Sequence, residues 1–429
     1  MMNNLLVSTS AKGNIYALYA ANAISTTGNV LALLAIPWFV LATTGSAAQT
    51  GITAFFFFAP VVLSTFFGGT LVDRIGFKPS SIFSDVASGV TVLLIPLLYA
   101  VDLLPFWMLL LLVFLGTLID APGATARDAM LPELAEAAGM SLERIASLNQ
   151  IVERASRMIG APIAGFLIAF IGAENVLYVD AATFGISALL VWLAVPNITI
   201  KQDEAERLTG DDTGGETGGE TKSSYLDDLR DGLRYLRHDA LILTMVSVVL
   251  ITNFLDGALS SVIYPVFVNE VYGSAVALGL IFGVSGGGAV IGALIYSAVG
   301  ERYSRRKVYV WSFITLALAR IVLPFLPPLW LLLITSAIVG IGAGPLNPIM
   351  GTVNYIRIPA IMRACVLGVM RSGAMMAMPL GVLLAGYALE WLGLQVTLII
   401  VVAIYLLTTV SLLFNGRLHE MDKGDKQEE

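Results

Sequence analysis

The sequence predicts an all-α integral membrane protein, with twelve transmembrane helices in two pseudo-symmetric six-helix bundles. Three observations carry this. Of 429 residues, 57% are hydrophobic and 13% charged, against roughly 25% charged in soluble domains, and the mean hydropathy is +0.83. Apolar runs long enough to cross about 30 Å of hydrocarbon as a helix recur twelve times. All but one of the 24 Lys and Arg residues then fall on one side of the alternating topology.

The runs are continuously apolar, without the ten-residue alternation of an outer-membrane barrel, so helix is the spanning form. Residues 1–12 are polar and end in Lys12, and no small-residue cleavage site follows a short apolar core. An uncleaved first helix is expected. The spans are read as 14–41, 49–72, 80–101, 105–126, 146–170, 175–195, 240–265, 275–299, 308–326, 328–351, 364–389 and 391–414. Residues 197–224, which include Thr209-Gly210-Asp211-Asp212-Thr213-Gly214-Gly215-Glu216, are too poor in apolar residues to bury a core and read as a disordered linker. Tyr225 to His238 reads as an amphipathic helix on the membrane surface, with Tyr225, Leu226, Leu229, Leu233 and Leu236 on or near one face. The expected domains are therefore an N-terminal bundle (1–196), a linker with its amphipathic helix (197–238), a C-terminal bundle (239–415) and a charged tail (416–429).

With both termini inside, the inner segments hold Lys12; Arg74 and Lys78; Arg127, Arg144, Arg154 and Arg157; six cations between spans six and seven; Arg302, Arg305, Arg306 and Lys307; Arg357, Arg363 and Arg371; and Arg417, Lys423 and Lys426. Arg320 alone is left over. This is the positive-inside bias; it places both termini in the cytoplasm of a bacterial-type inner membrane.

The most informative short stretch is Gly69-Thr70-Leu71-Val72-Asp73-Arg74-Ile75-Gly76-Phe77-Lys78, a charged turn between two apolar runs. It resembles the loop between helices two and three of the major facilitator superfamily, G-x-L-x-D-R-x-G-R-K. Gly69, Leu71, Asp73, Arg74, Gly76 and Lys78 match, and Phe77 stands where the family usually has Arg. The resemblance implies a latch of Gly69, Asp73, Arg74, Gly76 and Lys78 that joins the halves on the cytoplasmic side in the outward-facing state. The halves also echo each other. Asp73-Arg74 after span two corresponds to Glu301-Arg302 after span eight. Arg154 precedes Pro162 by eight residues, as Arg371 precedes Pro379, and Pro122 in span four is echoed by Pro345 and Pro348 in span ten. Parallel repeats of this kind place a substrate site between the halves near the midplane.

Within the superfamily the chain looks like the drug- and macrolide-efflux branch, which includes siderophore exporters. The marks are Met158-Ile159-Gly160-Ala161-Pro162-Ile163-Ala164-Gly165, Asp180-Ala181-Ala182-Thr183-Phe184 and Leu229-Arg230-Asp231-Gly232-Leu233-Arg234-Tyr235-Leu236. The exporters' G-P-x-x-G-G motif keeps only Pro162 and Gly165, which are read as hinge residues together with Pro345 and Pro348.

Polar side chains within spans are functional candidates by default. Asp256 and Asn253, three residues apart on one face of span seven, are the leading proton or substrate site. Asn22 and Asn29 share a face of span one; they could bind a polar substrate or hold helices together. Asp120 is expected to pair with Arg127 or to carry a proton, and Asn347 joins the candidates from the Gly/Pro-rich part of span ten. Asp180 is expected to be solvated or to cap a neighbour. The resemblance makes span nine outer scaffolding, so Arg320 is expected to snorkel outward.

Cys365 is the single cysteine, and His238 and His419 the only histidines, so neither a disulfide framework nor a His/Cys metal site is expected. No P-loop, dinucleotide fingerprint or H-E-x-x-H occurs. The expected protein has no cofactor and no nucleic-acid partner, is not an enzyme, and can work as a monomer. Its partners are a small-molecule substrate, protons and the lipid bilayer. The reading is a proton-coupled exporter of small amphiphilic compounds such as drugs or macrolides. The alternatives are a carrier for a specific metabolite, siderophore or lipid and, more remotely, a membrane enzyme or sensor.

Overall fold

The computed structural model describes residues 2–196, 225–359 and 362–426; for residues 2–12, 65–71, 73, 143, 225–229, 231, 301, 364 and 423–426 it describes the backbone alone. The expected linker at 197–224 lies outside the described residues. Twelve helices are long and apolar enough to cross a membrane: Gly13–Thr44, Ala47–Ser64, Phe77–Ala100, Phe106–Ala138, Arg144–Ile171, Ala173–Ala194, Ala240–Val271, Ala275–Val299, Arg305–Phe325, Leu329–Arg357, Cys365–Leu392 and Leu394–Phe414. We number them spans one to twelve. Large apolar side chains such as Phe170, Trp391 and Phe414 stand exposed on the outside, as a lipid solvent requires.

Polar residues at the helix starts satisfy N–H groups that have no partner in the helix. Ser46 accepts from the Gln49 N–H, and Asp239 from Leu241 and Ile242. The turn expected at 69–78 is tighter than a loop. The span-two helix continues to Ile75 and the next begins at Phe77, so the connection is Gly76 alone, at φ +95°, with its N–H on the Val72 carbonyl. Only glycine adopts that conformation cheaply. Span ten breaks as expected at Gly344-Pro345, between Ala343 and Leu346. Span seven holds an unexpected π-helical turn, Leu259–Ile263, just past Asp256; such turns accompany functional sites.

In the N-terminal half, span one packs on five and six, span three on four and six, and span two on four. In the other half, span seven packs on eleven, eight on ten, and nine on ten and twelve. The halves meet through spans two and eleven and through five and eight. The amphipathic helix Tyr225–His238 forms and sits on the start of span eleven. Gly232 approaches Cys365 and Val369, Leu236 is buried, and the Tyr235 hydroxyl donates to the Arg357 carbonyl at 2.9 Å.

Candidate functional site

A polar face of span three, made of Ser80, Ser81, Ser84, Asp85 and Ser88, is buried. Asp85 pairs with Arg127 of span four at 2.7 Å, and the two side chains are 0% and 2% exposed. The Ser187 hydroxyl donates to the other Asp85 oxygen at 2.7 Å, and the Arg127 guanidinium reaches Ser25 Oγ at 3.2 Å and Asn22 Oδ1 at 3.4 Å. Asn22 donates onward to Asn149 at 3.1 Å, which donates to Asp128 at 3.0 Å. Buried charges persist when paired and hydrogen-bonded in this way. The expected Asp120–Arg127 pair is thus corrected. Span four continues past Arg127 to Ala138, which buries that cation inside the bundle, where Asp85 takes it.

Asp120 instead accepts from Asn29 Nδ2 at 3.0 Å, and its second oxygen, Oδ1, is buried without a protein partner. On span six Asp180 is 0% exposed, and its Oδ2 also lacks a protein partner. Solvation of Asp180 is excluded, because span one covers it at Gly28. A Cβ at Gly28 would stand 2.5 Å from Asp180 Oδ1.

In the C-terminal half Asp256 accepts from Arg320 Nη2 at 2.9 Å and from the Tyr405 hydroxyl at 2.7 Å. The guanidinium lies 4.2 Å from the Tyr405 ring centroid, a cation–π contact. Arg320 is 6% exposed. It therefore does not snorkel; it turns inward because a carboxylate on span seven and an aromatic face on span twelve neutralise and cover it. The Asp256 side chain remains 42% exposed. Its helix-mate Asn253 donates to the Ala374 carbonyl of span eleven at 3.1 Å, so the two candidates serve different neighbours. Asn347 and Pro348 are exposed at the break of span ten. Near that break, Gly288 and Gly292 of span eight lie against Gly340 and Ile341; the glycine-rich stretch serves close packing as well as the break.

In the charged turn, Asp73 and Gly69 lie among the residues described by backbone alone, and Arg74 is exposed. Lys78 Nζ donates to the carbonyls of Trp192 at 3.0 Å and Val195 at 2.6 Å. In this conformer Lys78 therefore caps the end of span six in its own half and does not latch the two halves.

The halves touch where backbones come close. A Cβ at Gly51 would lie 2.8 Å from Gly386 Cα, and one at Gly165 2.8 Å from Gly279 Cα. Pro162 packs against Gly283, and Met158 reaches Gly287. These five–eight contacts run along span eight from Gly279 to Gly287, in the part away from the basic residues, while Gly288 and Gly292 face span ten. At that same end Glu390 accepts from the Ser46 hydroxyl and the Ala48 N–H, each at 3.1 Å. Sequence reading missed Asp85, Asn149, Ser187 and Tyr405. Of these, Asp85 had a signal, since it lies on a serine-rich helical face. Among the described residues no group of three or more His, Cys, Asp or Glu could hold a metal ion.

The sequence model of the Major Facilitator Superfamily matches residues 18–255 and again 246–429. The multidrug efflux pump Tap of Mycolicibacterium fortuitum is 32% identical over 402 residues, covering 93% of this chain and 95% of its own. Tap of Mycobacterium tuberculosis is 31% identical over 391 residues, covering 90% of each chain. Among solved structures, the nucleoside transporter NupG superposes with a TM-score of 0.73 at 14% identity, over 94% of this chain and 100% of its own. A bacterial homolog of the human lysosomal transporter Spinster, in an inward-facing conformation, gives 0.69 at 13% identity over 97% and 98%.

Proposed function

This chain belongs to the major facilitator superfamily, and on that premise we propose that it exports small amphiphilic compounds such as drugs in exchange for protons. The observation that carries this is its relation, over nine-tenths of both chains, to pumps named for multidrug efflux. The positive-inside bias puts the basic end and both termini in the cytoplasm of the inner membrane. The halves meet through glycine contacts toward the opposite end, which supports reading this conformer as inward-facing, with rocking about those contacts giving alternating access. Asp256 is the polar anchor for the substrate. It is held by Arg320 and Tyr405 yet half-exposed, while Asn22 and Asn29 are engaged in helix contacts. A single chain forms the whole pathway.

The test is growth of an efflux-deficient bacterium carrying the protein on a panel of drugs and dyes, with Asp256→Asn alongside. Resistance is expected from the wild type and its loss in the folded variant. Equal resistance in both would remove Asp256 from the path. No resistance to any compound would favour a specific carrier instead, a reading supported by 27% identity with the staphyloferrin A transporter of Staphylococcus aureus over 38% of this chain.

A further inference from the structure

Two acids of the N-terminal half, Asp180 buried and Asp120 half-buried, each have one buried oxygen to spare. Asp120 of span four keeps Oδ2 on the Asn29 amide and leaves Oδ1 buried without a protein partner. Asp180 of span six leaves Oδ2 in the same condition. The Thr183 hydroxyl gives its shorter bond, 2.7 Å, to the Asp180 backbone carbonyl and stands 3.5 Å from Oδ1. The two acids lie within electrostatic reach of each other. The charged groups facing them are Arg127 on span four and Asp85 on span three, and these two already neutralise one another at 2.7 Å. Among the described residues, spans one and six bring the uncharged Asn29, Gly28 and Thr183 against them. Span five carries its ionisable residues, Arg144, Glu153, Arg154 and Arg157, toward the basic end. Two anions left this way in an apolar interior, with no cation of their own, are costly.

We propose that Asp120 and Asp180 form the proton site of this transporter, two acids that hold an inbound proton in the conformer seen here and release it to the cytoplasmic side when span one moves. The proposal rests on the proton-exchange reading above and assigns its carrier. Asp256 does not fit that role, because Arg320 and Tyr405 already supply the charge and the hydrogen bond its carboxylate needs. The coupling element is span one. Gly28 lets it lie against Asp180 and Thr183, and Asn29, one residue on, holds Asp120. With a proton bound the pair carries one negative charge instead of two, and the seal can remain closed. With the proton gone, the carboxylates need water, which reaches the fully buried Asp180 when span one, packed over it at Gly28, draws away. Release on the inner side, before the halves rock outward with substrate bound, makes the cycle an exchange.

The experiment combines two readouts on the full-length protein. The first is infrared absorption of the purified wild type in lipid nanodiscs. A carboxylic-acid C=O band that shifts in deuterium oxide is expected at neutral pH. It should be retained in Asp256→Asn and reduced in the near-isosteric double variant Asp120→Asn/Asp180→Asn. The second is efflux of a fluorescent cationic dye from vesicles under an imposed pH gradient, which the double variant should no longer couple. Absence of the band in the wild type overturns the proposal whether or not any variant folds. An undiminished band in a folded double variant overturns it as well. Dye efflux still driven by the pH gradient in that variant overturns the assignment while leaving proton exchange intact. Wild-type efflux indifferent to the gradient overturns proton exchange itself and the coupling role with it.

Discussion

Replacing Gly279 by valine tests the mechanical part of this account. A Cβ at Gly279 would stand 2.6 Å from the Ala161 carbonyl oxygen, 2.9 Å from Gly165 Cα and 3.0 Å from Gly165 N. All three are backbone atoms and cannot rotate aside. Ordinary contact begins at 3.4 Å, so spans five and eight must part by about 0.8 Å for the Cβ alone, and the stiff branched side chain adds to this. Overpacking of this kind costs about 1–3 kcal/mol. It acts only on the conformer in which these glycines meet, so it shifts the equilibrium between conformers and not the intrinsic affinity of either. A bias of that size corresponds to roughly a 5–150-fold change in the ratio of the two states. Pulsed electron paramagnetic resonance reads that ratio from spin labels at Thr44 and Glu270, which are exposed on opposite halves at this end, with Cys365 first replaced by alanine. A long-distance population is expected to grow at the expense of the short one. An unchanged distance distribution in a folded Gly279→Val protein would refute the glycine contacts as the closure.

Other outcomes follow from the same geometry. Arg127→Met leaves Asp85 buried without its cation and should cost about 3–5 kcal/mol, seen as a lower melting temperature in detergent. Asp85→Leu/Arg127→Met removes both charges and should recover much of that loss. Gly28→Ala drives a methyl into Thr183 and Asp180, and a destabilisation of about 1–3 kcal/mol is expected by the same melt. Lys78→Met strips the carbonyls of Trp192 and Val195 of their donor and should cost about 0.3–1 kcal/mol, with Lys78→Arg keeping most of it; equal melts for both variants would contradict the capping role.

The twelve spans, their order and the break in span ten are legible in the sequence because each is a local property: a run of apolar residues, or Gly344-Pro345 inside one. Polar residues within spans are legible for the same reason, and Asp256, Asn253, Asn22, Asn29 and Asp120 all prove to make specific contacts. Their partners are not legible. Arg320 lies 64 residues from Asp256 and Tyr405 lies 149, and pairing at such separations is decided by which helix faces meet. Reading Arg320 alone, outward snorkelling is reasonable; only the packing of spans seven, nine and twelve turns it inward. Arg127 shows the converse error. A cation near a span end counts as topogenic until the helix proves to run eleven residues further, to Ala138, and takes it inside. The serine face of span three carried a readable signal, since Ser80, Ser81, Ser84, Asp85 and Ser88 fall on one side at helical spacing. The approach of Gly28 to Asp180 carried none.

Export driven by protons is tested by transport with the purified protein in liposomes. An acidic interior would be imposed, and uptake of a fluorescent cationic dye followed with and without a protonophore. Gradient-driven dye accumulation that collapses when the protonophore is added is expected. Accumulation that persists after the gradient is dissipated, or no dye movement in liposomes holding folded protein, would contradict it.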